Sequence, residues 1–213
     1  MRLLCFSDLH SSGVAAKRLV ERAQSEGVDA LVSAGDLATD EAHAADMYEA
    51  LAAAGKPVMA VPGNHDGEVY ATYLPIGKLT DIDGKQVELD GFTFVGWGIR
   101  WMDDSLSGPR RRGQREDPVL KLITDRVARL DPRKTVFVSH LPPWGVRVAR
   151  DAQDIDRGNV QLRAWIEAFQ PVAVVCGHVH LPPAAREGLA GREHGHRQRR
   201  AGGVRADPLN APF

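Results

Sequence analysis

In Val172-Ala173-Val174-Val175-Cys176-Gly177-His178-Val179-His180, an apolar run of strand length passes without a spacer into a glycine and two histidines. Three of its first five residues are β-branched, as in a strand buried on both faces. Placing two imidazoles at the end of such a strand is costly unless something binds them. Four other runs end in the same way. Leu3–Phe6 leads into Ser7-Asp8-Leu9-His10, Ala30–Val32 into Gly35-Asp36, Val58–Val61 into Gly63-Asn64-His65-Asp66, and Val136–Val138 into Ser139-His140. Five of the eight histidines fall in these segments. A lone Asp-x-His is more often a solvated pair, and a lone Gly-Asp is more often a turn. Five polar strand ends in one chain are not explained that way.

Helical patterns separate the runs. Val14–Glu26 carries an apolar stripe and is closed by Gly27; Glu41–Ala54 is alanine-rich and ends at Gly55; Pro118–Leu130 and Val160–Phe169 have the same character. Strands alternating with helices indicate a layered α/β domain. Gln86–Asp90, Gly91 and Phe92–Val95 read instead as a hairpin, with Phe92, Phe94 and Val95 turned into a core. The expectation is therefore a mixed sheet or two stacked sheets with helices outside.

In such domains the C-terminal ends of the strands gather at one edge, where sites form. Asp8, His10, Asp36, Asn64, His140, His178 and His180 can meet there although they lie far apart in sequence. Carboxylate, amide and imidazole donors without a thiolate suit a two-metal site for Mn, Fe or Zn rather than a structural cysteine-based zinc. Asp8 with His10, and His178 with His180, stand at i, i+2 and are expected to point to one side in pairs. Glycines 35, 63 and 177 allow sharp turns and close backbone approach.

Composition sets the outer limits. The chain has 213 residues, enough for one sizeable domain, with ordinary globular fractions of hydrophobic (43%) and charged (26%) residues. A net charge of −1 excludes a global basic field for nucleic acid. Cys5 and Cys176 lie in apolar runs and read as core thiols of a reducing compartment. No apolar stretch nears the ~20 residues that a membrane helix needs, and Arg2 and Asp8 come too early for a signal peptide. A cytoplasmic location is expected.

The five segments resemble the motifs of the calcineurin-like metallophosphoesterases, across residues 1–183. The resemblance implies an α/β fold of four αββα layers, two mixed β-sheets face to face with helices outside. It also implies two divalent metal ions. Asp8, His10, Asp36 and His180 would hold the first, and Asp36, Asn64, His140 and His178 the second, with Asp36 bridging. His65 matches the family's catalytic histidine beside the leaving group, and Asp66 would cap the turn or hold His65. The implied chemistry is hydrolysis of a phosphodiester or small phosphomonoester. The two cations clamp the phosphate, and the water they share is acidified enough to attack as hydroxide. The alternatives are a nuclease of the same superfamily or a non-catalytic scaffold. A nuclease would need a basic groove, which only the Arg110–Arg115 cluster and the C-terminal tail offer.

Two features depart from the family. Asp36 is followed by Leu37-Ala38-Thr39-Asp40, not by the Asp-x-x-Asp-Arg-Gly of its protein phosphatases: Thr39 takes the place of the aspartate that would orient the catalytic histidine, and Asp40 comes one step late. This points toward the small bacterial phosphodiesterases. The second departure is 184–213, where six arginines against three acidic residues give +3 and no β-alternation appears. His196–Gly202 has codons that, read one base later, can spell Ile-Val-Asn-Ala-Gly-Pro-Gly, which resembles the family's usual ending. A frame-shifted tail is the hypothesis, and the coding DNA tests it: it fails if no single-base indel near residues 181–195 restores that ending. A natural basic arm, mobile or exchanged with a partner copy, is the alternative. Three weaker candidates remain. Trp144 could offer a flat face to a ring. Trp97 is expected in the core. Arg-rich Gly98–Asp117 could form a lid or a solvated loop.

Overall fold

The computed structural model describes residues 1–67, 70, 78–99, 125 and 127–180. The central strands are apolar on both faces because each is covered twice. In β2 (Ala30–Ser33), Ala30 and Val32 face the second sheet, whereas Leu31 faces helices; in β7 (Thr135–Ser139), Val136 and Val138 face the first sheet, and Phe137 turns outward. This is the two-residue period of a pleated strand read against two different neighbours.

The first sheet has the order β1-β2-β3-β4, all parallel, with β1 (Leu3–Phe6), β3 (Val58–Ala60) and β4 (Leu79–Asp81). The second has the order β5-β6-β7-β8, with β5 (Gln86–Leu89), β6 (Phe92–Trp97) and β8 (Ala173–Val175). Here β5 and β6 form the expected antiparallel hairpin, while β6, β7 and β8 are parallel. Among the strands of the described residues, antiparallel pairing falls in the second sheet, because the hairpin lies wholly within it. β4 was not anticipated. It is three residues long and buries only Leu79 fully, too little to register as a pattern.

Helices α1 (Gly13–Ser25) and α2 (Glu41–Ala52) cover the outer face of the first sheet, packing Leu19, Ala23, Met47 and Leu51 on Leu4, Leu31 and Val58. On the second sheet, Leu162 and Trp165 of α3 (Val160–Phe169) meet Phe137, the Trp165 and Phe137 rings 4.4 Å apart. Each helix starts at a side chain that accepts an otherwise unpaired backbone N–H: Ser12 from Ala15, Asp40 from His43, and Asn159 from Leu162. The layers are helix, sheet, sheet, helix. Trp97 is buried in the outer layer of the second sheet, as expected. Of the anticipated helix over Pro118–Leu130, residues 118–124 and 126 lie outside the described residues. So do residues 100–117 of the Arg-rich loop and the whole of 181–213, the frame-shift hypothesis included. No described helix is long and apolar enough to cross a membrane.

Candidate metal centre

Each candidate donor follows the C-terminal end of a parallel strand: Asp8 and His10 after β1, Asp36 after β2, Asn64 after β3, His140 after β7, and His178 and His180 after β8. The backbone turns abruptly there. Asp8, His10, Ser11, Asp36 and His178 have φ of 58°, 47°, 62°, 53° and 72°, in the left-handed region that L-residues seldom adopt. Cross-loop hydrogen bonds hold them in it. Asp8, His10 and Ser11 donate their N–H to the carbonyls of Gly35, Asp36 and Leu37 at 2.8–3.0 Å. His178 N–H donates to Asp8 Oδ2 at 3.1 Å, and Gly177 N–H to the His140 carbonyl at 3.0 Å.

All seven expected donors come together, in two groups. In one, His10 Nε2 and His180 Nε2 lie 3.1 Å apart, with Asp8 Oδ1 at 4.0 and 3.4 Å from them. In the other, Asn64 Oδ1 lies 2.9 Å from His140 Nε2 and 3.1 Å from His178 Nδ1, and Asp36 Oδ2 is 3.5 Å from His140 Nε2. Asp8, Asp36 and His140 also bring ligand atoms within 4.8 Å of one another, so the groups adjoin. Asp8 and His10 share a side as expected. His178 and His180 do not: the left-handed turn at His178 sends the two rings to different groups.

The donor chemistry fits cations. His140 Nδ1 donates to the Ala34 carbonyl at 2.8 Å, so its Nε2 presents a lone pair to the carbonyl oxygen of Asn64. Burial, the largest influence on each, lowers the pKa of His10 and takes His178 down to about 4, so both rings are neutral at pH 7. The carboxylate of Asp8 raises that of His180. Asp8 Oδ1 is buried without a hydrogen-bond partner. Each of these nitrogen and oxygen atoms can present a lone pair to a cation, and they lie 2.9–3.1 Å apart. Two ligands on adjacent corners of a divalent ion, each at ~2.1 Å, are themselves about 3 Å apart.

His65 is exposed, its ring edge-on to His10 with centroids 5.2 Å apart, and its N–H donates to Asp36 Oδ1 at 2.8 Å. Asp40, one step late in the motif, is committed elsewhere: it caps α2 and pairs with His43 Nδ1 at 2.8 Å. Thr39 N–H donates to Ser11 Oγ. The Asp66 carboxylate is fully buried and accepts only backbone N–H groups, with burial pushing its pKa up to about 7 against their pull. Trp144 is half-buried, with its backbone N–H on the Asn159 carbonyl, and Arg150 pairs with Asp154 at 3.2 Å.

An αββα sandwich with oxygen and nitrogen donors gathered at its strand ends is an arrangement suited to binding cations. The chain belongs to the calcineurin-like phosphoesterase family, whose profile matches residues 1–182. Among solved structures, the TT1561 protein of Thermus thermophilus is similar at 18% identity and a TM-score of 0.62, over 82% of this chain and 80% of that one. A dimetal phosphatase from Danio rerio matches at 13% and 0.58, over 84% and 82%. The phosphopantetheinyl hydrolase of Mycobacterium tuberculosis matches at 18% and 0.55, over 85% and 83%. At these identities the likeness is one of fold. A search of curated protein sequences returned no match.

Proposed function

We propose that the chain is a dinuclear metal-dependent phosphoesterase acting on a phosphodiester or a small phosphomonoester. The observation that carries this reading is the pair of ligand-atom clusters, His10 with His180 and Asn64 with His140 and His178, at ligand-to-ligand spacing. Two divalent cations bound there would offset the charge that grows on phosphorus and acidify the attacking water. The chain's residues do the rest. Asp8, His10 and His180 would hold one ion and Asn64, His140 and His178 the other, with Asp36 between them. His140 keeps its Nε2 lone pair outward through Ala34. His65, exposed and held through its backbone N–H by Asp36 Oδ1, would give a proton to the departing alkoxide. Manganese is the ion we would try first. The similar Danio rerio protein is a dimetal phosphatase, which is in keeping with two ions.

Hydrolysis of bis-p-nitrophenyl phosphate and p-nitrophenyl phosphate with added Mn tests the proposal. Asn64→Ala and His140→Ala should each lower kcat/KM by more than the roughly 10–100-fold typical of losing a residue that merely orients a ligand. Activity unchanged in both variants would remove the proposed centre.

A further inference from the structure

Asp66 sits where the loop after β2 meets the turn after β3. Its Oδ2 accepts the N–H of Asp36 at 2.8 Å and of Gly63 at 2.6 Å, and its Oδ1 accepts the N–H of Ala38 at 2.8 Å. Asp36 returns the contact, its Oδ1 accepting the N–H of His65 at 2.8 Å. Each aspartate side chain therefore holds the backbone of the other's loop. Two donors of the proposed centre, Asp36 and Asn64, are carried by those loops. No hydrogen bond among the described residues joins Asp66 to the His65 ring. Asp66 is fully buried, so it lies away from any space that substrate could occupy.

We propose that Asp66 is a positioning residue that brings Asp36 and Asn64 to ligand spacing before any cation arrives. Three N–H donors converge on one carboxylate, which supplies acceptor sites on both oxygens. An amide of the same shape cannot, since its –NH2 must face at least one of those donors. The proposal rests on the metal-centre reading above.

The test compares Asp66→Asn with Asp66→Ala. Asparagine should keep the fold by circular dichroism, bind Mn about 10–100-fold more weakly by calorimetry, and lower kcat more than it changes KM, with excess Mn restoring part of the rate. If Asp66 served only to fill volume, asparagine would match the wild type and alanine alone would be impaired; that result would overturn the inference. Amide hydrogen exchange on the wild-type chain supplies a readout that needs no variant to fold. The Asp36, Ala38 and Gly63 amides should be protected in the metal-free protein, and exchange at open-loop rates until Mn is added would also overturn it. A wild-type chain that binds no Mn while those amides stay protected would strike the metal reading instead.

Discussion

Gly63 shows how little room surrounds the donors. A Cβ there would fall 2.1 Å from Asp36 Oδ1 and 2.5 Å from Asp36 N. Gly63→Ala should therefore displace Asp36, destabilise the fold by about 1–3 kcal/mol in urea unfolding, and weaken Mn binding in calorimetry. At Gly177 a Cβ would lie 2.5 Å from Ser7 Cβ and 2.8 Å from Asp8 Oδ2, so the strand that ends in Gly-His-Val-His can pass Asp8 only as glycine. These needs were legible only from the five segments taken together, because a lone glycine before an aspartate is more often a turn. The i, i+2 spacing alone puts His178 and His180 on one side, and only the family resemblance assigns them to different ions. The bracing by Asp66 was not legible, since it depends on which amide groups come within its reach, which only the tertiary fold decides.

At the scale of elements, strands were easier to read than their surroundings. β1 and α3 have the bounds expected of them, since each is a uniform run with a sharp polar or capping boundary. β4 borrows its stability from pairing with β3 and leaves almost no trace of its own. Side chains hold the segment between β7 and α3. Asn159 caps α3 while its N–H donates to the Pro142 carbonyl at 2.8 Å. Asn159→Ala should cost about 1 kcal/mol in urea unfolding. Farther along, Arg157 Nε donates to Asp151 Oδ2 at 2.8 Å, and Asp151 Oδ1 accepts the N–H groups of Ile155 and Gln153. The Arg157 contact, foremost, and those N–H groups hold the Asp151 carboxyl below its ordinary range. A depressed folded pKa gives support that is present above the unfolded value of about 3.9 and lost as pH falls through the folded one. Stability in urea unfolding should therefore decline as pH falls below about 4, and Asp151→Asn should remove that part of the decline.

For the molecule as a whole, cations that bind only the folded chain must stabilise it. Mn at roughly 100 times its Kd adds about 2.7 kcal/mol, equivalent to a rise in Tm of about 5–10 °C for a chain of this size, and EDTA should reverse it. A melting curve indifferent to both would count against the centre. The overall architecture was legible because the apolar runs, their helical spacers and the hairpin each obey a local period. The partition of strands between two sheets was not, since nothing local tells β4 from β5. That partition has a further consequence. Asp8, His10, Asp36 and Asn64 hang from the first sheet; His140, His178 and His180 hang from the second. The proposed centre would work as a caliper whose two jaws are the sheets, with the buried layer of Val32, Met59, Phe94 and Val138 between them setting its gap. Trimming that layer, as in Phe94→Leu, should alter cation affinity in a protein that is still folded, so a change in side chains that carry no donor atom would be read out as a misfit between the jaws.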